Sequence, residues 1–239
     1  MENPGYIALS RQMVLSRQID LLANNIANIS TPAFKGESMM FVEYLAKTDD
    51  GQDLSYVQDV AQVRDLSEGS FTTTGNPFDV AIRGSGYFVV DTPEGQRYTR
   101  NGRFSLDVNG QLVTSAGHAV LDDTNRPIVV PEDATDVEIS EDGTISAGNG
   151  AIGKINVVEF PDPQTLDNIG NGLYTANDQP KAAADFSIVQ GAVEESNVQP
   201  IIEITRLLDA QRSFVAAQQF IQTQNDLELQ TIDKLTTTA

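Results

Sequence analysis

The sequence predicts an α+β fold that is mainly β: a β-rich central domain inserted between long N- and C-terminal helices that pair in a coiled-coil-like fashion. Three observations lead there. Both ends of the chain carry apolar residues at alternating steps of three and four, the spacing of a helical seam. Between them the pattern switches to short runs of period two separated by turn residues. The charge follows the same division. Of a formal net charge of -19 over 239 residues, residues 1–36 carry +1 (Arg11, Arg17 and Lys35 against Glu2 and Asp20). Residues 194–239 carry -4, with seven carboxylates against Arg206, Arg212 and Lys234, so the middle holds -16. At 40% hydrophobic content the chain can bury one sizeable core, as a single domain or as a domain with appendages.

Residues 1–35 are expected to be an N-terminal assembly helix. From Tyr6 to Ile29 the pattern is amphipathic: Leu15, Ile19, Leu22, Ile26 and Ile29 form the seam, widened on one side by Ile7, Val14 and Leu21. The helix should stop near Ser30-Thr31-Pro32, because proline lacks an N–H and biases the preceding residue away from helical angles. Residues 36–70 read as an extended linker or arm, with a turn signal at Asp49-Asp50-Gly51 and weak alternation from Tyr56 to Val63.

Residues 71–192 are expected to be a β-rich outer domain. Strand-like runs cover 80–90, 96–99, 103–106, 111–114 and 119–121, and continue through 128–130, 137–139, 142–145 and 155–160. Asn101-Gly102 and Asn109-Gly110 both tolerate the positive φ angles of tight hairpin turns, so the region reads as a meander. Residues 193–239 return to helical spacing from about Val198 to Leu235. The seam there is Ile204, Leu207, Gln211, Phe214, Gln218, Ile221, Asn225, Glu228, Ile232 and Leu235. Its amides weaken a two-helix interface but can fix register and partner. At ~1.5 Å per residue such a helix reaches ~55 Å, too long to be the internal core helix of a small β domain.

Several classes of function are disfavoured. The acidic balance, with a pI near 4.2, argues against nucleic acid and against acidic membrane surfaces, because both are bound through Lys and Arg. There is no cysteine, which removes disulfides and Cys-based metal sites. The opening Met1-Glu2-Asn3-Pro4-Gly5 lacks the basic start and apolar run of a secretory signal, and no apolar stretch is long enough to span a bilayer.

Catalytic and cofactor motifs are lacking. His118, the only histidine, sits in an apparent turn and is expected to be an ordinary turn residue. Gly84-Ser85-Gly86 follows a strand but lacks a third glycine and a following helix, so it reads as a bulge or tight crossing, not a phosphate loop. Residues 49–53 lack the later glutamate of a calcium loop. Asn28-Ile29-Ser30 matches a glycosylation sequon by chance at the end of a packed helix. Asp122 and Asp123, the pair a glycan-hydrolysing or carbohydrate-binding domain would use, point to opposite faces of a strand. No catalytic, cofactor or metal residues are therefore expected.

The run from Leu22 to Lys35, Leu-Ala-Asn-Asn-Ile-Ala-Asn-Ile-Ser-Thr-Pro-Ala-Phe-Lys, resembles the N-terminal signature of flagellar rod and hook proteins. In that family an Ala-Asn-Asn-aliphatic-Ala-Asn run precedes a Ser/Thr-Thr-Gly-Phe-Lys turn, and here Pro32 and Ala33 replace the usual Thr and Gly. The middle is similar to the same family in Gly75-Asn76-Pro77-Phe78-Asp79-Val80-Ala81-Ile82, Gly84, Gly86, Tyr87-Phe88-Val89-Val90, Tyr98-Thr99-Arg100-Asn101-Gly102 and Asn109-Gly110-Gln111-Leu112-Val113. The end is similar in Gly191, Glu194, Ser196-Asn197-Val198 and Gln211-Arg212. The three motifs come in order and cover almost the whole chain.

The resemblance implies a structural rod subunit and not an enzyme. It implies export through the flagellar type III apparatus without a cleaved signal, terminal helices that form the inner tube, and a β domain outside it in the periplasmic rod of the basal body. The length and the opening Ser10-Arg11-Gln12-Met13 look most like the proximal-rod members. A distal-rod subunit is the near alternative, and a hook subunit, which usually carries an extra outer domain, is further away. The expected partners are further copies of the chain, other rod subunits and the export apparatus, with no nucleic acid, no membrane span and no cofactor. The residues expected at the assembly interface are Leu15, Ile19, Leu22, Asn24, Asn25, Ile26, Asn28 and Ile29, with Ile204, Leu207, Gln211, Phe214, Gln218 and Ile221. Asn24, Asn25 and Asn28 are candidates for hydrogen bonds that set subunit register, although Asn28 could equally cap its helix.

Overall fold

The structure, a computed structural model, describes residues 3–47, 53–131, 134, 136–148 and 150–237. The fold is mixed α/β and mostly strand, with one helix at each end. After α1 (Asn3–Ala27) come the strands β1 (Glu37–Lys47), β2 (Asp53–Arg64), β3 (Phe71–Thr73), β4 (Val80–Gly84), β5 (Tyr87–Thr92), β6 (Gly95–Thr99), β7 (Phe104–Leu106), β8 (Leu112–Thr114) and β9 (Ala119–Val120). Then follow β10 (Glu138–Ile139), β11 (Thr144–Ala147), β12 (Gly150–Lys154), β13 (Val157–Glu159), β14 (Asp167–Gly170), β15 (Leu173–Thr175), β16 (Lys181–Ala182), β17 (Phe186–Gln190) and β18 (Ala192–Glu194), and the chain closes with α2 (Pro200–Thr237). Two compact units result. One contains α1, the β1–β2 hairpin and α2, and the other contains Asn28–Gly36 with Asp65–Val198.

In the helical unit α1 and α2 run antiparallel. Asn25 near the end of α1 meets Glu203 in the first turn of α2, and Ile7, Ala8 and Arg11 share a groove with residues 213–220. α2 begins at Pro200, whose missing N–H is one of the donors a helix start leaves unpaired in any case. α1 stops at Ala27, two residues before the expected end. There Asn28 and Thr31 form a turn in which the Thr31 N–H and hydroxyl donate to the Asn28 backbone and side-chain oxygens at 3.1 and 3.0 Å. Within residues 36–70, expected as an extended linker or arm, the chain forms the antiparallel β1–β2 hairpin, with a register shift between Met40 and Phe41. The turn signal and calcium-loop candidate at residues 49–52 lie outside the described residues.

In the β unit the main sheet runs β14-β15-β6-β5-β9-β8-β7, with β13 and β16 joined at β5. β5 is central and buried on both faces. Phe88 and Val90 enter one core with Val80, Ile82, Phe104 and Leu112. Tyr87 and Val89 enter a second core with Tyr98, Phe160 and Tyr174, where Tyr98 and Phe160 meet edge to face with centroids 4.8 Å apart. A strand buried on both sides reads as a continuous apolar run, which is what Tyr87-Phe88-Val89-Val90 is.

The region is not a plain meander. β17 returns across about a hundred residues to pair with β4, and β18 pairs with β3. Nor do the two Asn-Gly pairs play the same part. Asn109-Gly110 does make the β7–β8 hairpin turn, with Gly110 at φ 74°. Asn101-Gly102 makes no hairpin, because β6 pairs with β5 and β15 whereas β7 pairs with β8. Gly102 is needed there for contact: the Val80 N–H donates to its carbonyl at 2.9 Å, and a Cβ would stand 1.7 Å from the Val80 carbonyl oxygen. Gly84 and Gly86, at φ 91° and 138°, form the tight crossing expected of them, with Cβ positions 2.5 and 2.6 Å from Asp185 O and Val157 Cγ1.

Gly102→Ala is accordingly expected to cost about 3 kcal/mol or more, since backbone must move. Gly75→Ala, at φ 75° but with nothing within 4 Å of its Cβ, should cost about 1–2 kcal/mol from the left-handed backbone alone. Chemical denaturation of the two variants measures the difference.

Candidate functional site

The residues expected at an assembly interface lie on the two helices and just past the end of the first. On α1 the expected stripe is in place: Leu15 and Leu22 are buried, and Ile19 and Ile26 are half-buried, as are Ile7 and Val14 on the widened side, where Leu21 is buried. Ile29 and Asn28 lie past the helix end. On α2 the inward stripe is Glu203, Leu207, Ala210, Phe214, Ala217 and Ile221, again in steps of four and three. Leu207, Phe214 and Ile221 were expected there. Ile204, Gln211 and Gln218 were grouped with them, but they are exposed. The alternating positions of the inward seam are taken instead by Ala210 and Ala217, one residue earlier. Alanine lets helices approach closely, whereas a buried amide without a partner costs about 1–3 kcal/mol.

The three exposed residues belong to a second line on α2. Ile201, Ile204, Leu208, Gln211, Val215 and Gln218 repeat at steps of three and four and are all exposed, Ile201 at 81%. This line lies roughly 100° around the helix from the first. α2 thus presents an inward stripe to α1 and an outward one that is exposed among the described residues.

One asparagine of the Asn-Asn run joins the helical unit together. Asn25 is 3% exposed. Its side-chain oxygen accepts from the Glu37 N–H at 3.0 Å, and its amide nitrogen donates to the Glu37 carbonyl at 2.8 Å and to Glu203 Oε2 at 3.1 Å. Arg206 donates to the other Glu203 oxygen at 2.8 Å. Asn25 thereby fixes α1, β1 and α2 to one another inside the chain, a use of the side chain different from the expected contact between subunits. Asn24 is exposed.

The β unit has its own polar centre, which sequence reasoning assigned no role. Glu194 is 1% exposed and pairs with two buried cations, Lys35 through Oε1 and Arg100 through Oε2, the latter at 2.8 Å. Lys35 also donates to the Ser67 carbonyl at 2.7 Å. Arg100 donates to the Gly84 carbonyl at 2.8 Å and stands 3.6 Å from half-exposed Glu68. Asn197 completes the clasp: its oxygen accepts from Gly36 N–H at 2.8 Å, and its amide donates to the Asp65 and Ser67 carbonyls at 2.9 and 3.0 Å. Lys35, Arg100, Glu194 and Asn197 all lie in the three sequence motifs. The available signal was that charged residues stand inside otherwise apolar or turn-forming runs.

Burial raises the pKa of Glu194, but Arg100 and Lys35 outweigh it and hold the carboxyl below its ordinary range. Burial lowers the pKa of Lys35 against the opposing pull of Glu194. Ala33, beside this clasp, is buried at φ 55°, a left-handed backbone that costs a residue with a Cβ about 1–2 kcal/mol. It is the position where the resembling family carries glycine.

Among the described residues no group of three or more acids or histidines is arranged to hold a metal ion. The Asp122 carboxylate is held in a turn, accepting from Thr124 N, Thr124 Oγ1 and Arg126 N at 2.7–2.9 Å. Burial would raise its pKa, but these donors together lower it, the opposite of what a general acid needs. His118 is half-buried in the β8–β9 turn, as expected, where its N–H donates to Thr114 Oγ1 at 3.2 Å.

Two outcomes are expected from the clasp. Glu194→Gln should cost about 3–5 kcal/mol at pH 7, because it leaves buried cations without their anion. A carboxyl depressed in the fold adds stability above its unfolded value of 4.5 and loses it as pH falls through the folded value. The gap between wild type and variant should therefore close below pH 4.5 in denaturant titrations. Ala33→Gly should be more stable than wild type by about 1 kcal/mol, once relief of strain is set against the added chain entropy of glycine.

Comparison with known proteins agrees with the three motifs. Residues 6–35 match the family described as flagella basal body rod protein, residues 81–147 the flagellar hook protein FlgE/F/G D1 domain, and residues 189–234 the flagellar basal body rod FlgEFG protein C-terminal region. The flagellar basal-body rod protein FlgF of Caulobacter vibrioides is 39% identical over 98% of both chains. That of Mesorhizobium japonicum is 37% identical over 90% of both. The flagellar basal-body rod protein FlgG of Bacillus subtilis is 31% identical over 93% of this chain and 95% of its own. With its first helix, part of its β unit and most of its last helix matched and nearly its whole length aligned, the chain belongs to the family of flagellar basal-body rod proteins and is more similar to these FlgF members than to the FlgG member.

Proposed function

We propose that this chain builds the proximal segment of the flagellar rod, packing its terminal helices against those of neighbouring subunits around a common axis. The chain is a structural subunit of the basal body and not an enzyme. It assembles with other rod subunits, and no helix among the described residues is long and apolar enough to cross a membrane. The further steps are the proposal: a coiled-coil-like pairing of the terminal helices, a periplasmic position, export through the flagellar apparatus, no nucleic-acid partner, and a division of labour along the chain. In that division residues 1–35 and 193–239 assemble, 36–70 act as an arm and 71–192 form the outer domain. Of the fourteen residues expected at the interface, the exposed Asn24, Ile204, Gln211 and Gln218 are the ones that meet neighbouring subunits in this reading.

The observation that carries this reading is the outward stripe of α2. A largely apolar line about five turns long on a helix whose other stripe already faces α1 is unfavourable in water, and burying it against another helix gains about 25 cal/mol per Å² of apolar surface. Gln211 and Gln218 within that line can specify the partner and the register. The greater similarity to the FlgF relatives supports the proximal over the distal assignment.

Leu22→Asp tests the reading. The variant should leave cells without complete rods and non-motile, while the purified chain keeps its β-sheet circular dichroism. Basal bodies with complete rods would refute assembly through these helices, and loss of the β signal would refute the division of labour.

A further inference from the structure

The β unit contains a hollow of about 450 Å³ whose lining is more polar than apolar. Four segments of the unit form it, within residues 28–32, 99–101, 114–118 and 171–173, and most of the lining residues stand in turns. Internal hydrogen bonds hold the walls. Buried Thr99 donates its hydroxyl to the Gly172 carbonyl at 2.7 Å and accepts from the Asn101 N–H at 3.1 Å. Thr114 accepts from the His118 N–H through its hydroxyl at 3.2 Å and from the Gly117 N–H through its carbonyl at 2.9 Å. Asn171 is fixed at φ 55° ahead of Gly172 at φ 70°, the pair of left-handed residues that closes a two-residue hairpin turn between β14 and β15. The assembly reading leaves this hollow without a role.

The hydroxyls of Ser30 and Ser115, the imidazole of His118, the side-chain amide of Asn171 and the amide nitrogen of Asn101 belong to its lining and make no hydrogen bond to another described residue. Together they supply both donors and acceptors. Pro32, Ala116 and Leu173 add apolar surface, and no carboxylate, lysine or arginine is among the lining residues. That combination restricts the ligand. An ion would give up its hydration with no counter-charge to receive it, and a hydrocarbon would leave the polar groups covered and unpaired. An extended peptide is held along a strand edge or in an open groove, whereas turns enclose this space. An uncharged ring with several hydroxyls satisfies the polar groups, and an acetamido substituent adds a methyl group for the apolar part of the wall.

We propose that the hollow binds an uncharged N-acetylated sugar, either free or as one ring of a glycan chain. The sugar is held and not cleaved, because no carboxylate pair lines the hollow to serve as acid and base. This goes beyond assembly through the helices and does not rest on it. Titration of the isotope-labelled full-length chain with chitotriose, followed by amide chemical shifts, is the test. Saturable shifts confined to the four segments are expected. Asn171→Gly, which keeps the left-handed turn, and Ser115→Ala, at an exposed position, should each weaken binding about fivefold. Ser115→Trp, which fills the hollow from that same position, should abolish it while the shifts of the β core stay in place. N-acetylglucosamine bound as tightly as chitotriose would assign the site to a free sugar, and tighter binding of chitotriose to a ring within a chain. The inference is overturned by the lack of saturable shifts, by shifts confined to other parts of the chain, or by chitotriose binding that survives Ser115→Trp. Equal binding of maltotriose, which has no acetamido group, or tighter binding of an uncharged acetylated triglycine amide would overturn it as well. None of these outcomes alters what Leu22→Asp does to rods in cells, so the assembly reading stands or falls separately.

Discussion

Burial of one carboxylate between two cations organises the β unit. Glu194 lies at the end of β18, Lys35 in the segment after α1, and Arg100 after β6, so the ion pairs draw together parts of the chain up to 159 residues apart. Taking these three charges out of water is expensive, and the cost is offset only because nearly every donor has an acceptor. Lys35 also reaches the Ser67 carbonyl, and Arg100 reaches the carbonyls of Ile82, Gly84 and Gly86. The backbone follows the same path: the Ala33 N–H donates to the Glu194 carbonyl at 2.8 Å, and Asn197 N–H donates to the Phe34 carbonyl at 3.2 Å. The unit therefore cannot be completed until its last segment is in place. β17 and β18, which pair with β4 and β3, impose the same requirement through backbone hydrogen bonds.

The helical unit uses a different kind of joint. Its apolar stripes pack α1 against α2, and Asn25 supplies the register, since one buried amide satisfies a strand edge and a helix start together. A leucine there would bury more apolar surface but leave the Glu37 N–H and carbonyl without partners. The inward seam of α2 is lined by alanines between larger residues, which favours a close helix pair. The outward line is built from isoleucine, leucine, valine and amides, which suits a contact made later with another molecule.

Ala33 shows how a departure from a family pattern is absorbed. Its φ of 55° is the backbone a glycine would adopt without strain, yet its methyl group is buried and its N–H is held by Glu194. The surrounding clasp is strong enough to hold an alanine in that conformation, at a cost small beside that of separating the buried charges.

Periodicity and turn chemistry determined much of the architecture without reference to any contact. The α1 stripe, the β run of residues 87–90, the Asn109-Gly110 hairpin and the tight crossing at Gly84 and Gly86 are local features, set by side-chain spacing and by the φ angles glycine allows. The sequence motifs likewise sufficed to place the chain among flagellar rod proteins. Tertiary structure decided what depends on distant partners. Which of two overlapping heptad lines on α2 faces α1 depends on the surface of α1, so Ile204, Gln211 and Gln218 could not be separated from Leu207, Phe214 and Ile221 by spacing alone. Asn101-Gly102 has a hairpin signature but serves a close approach of Val80, a segment twenty residues away. The pairing of Lys35 and Arg100 with Glu194 was not legible, because a charge in a sequence gives no indication of what neutralises it: that is settled by strand order, and strand order is a property of the folded sheet.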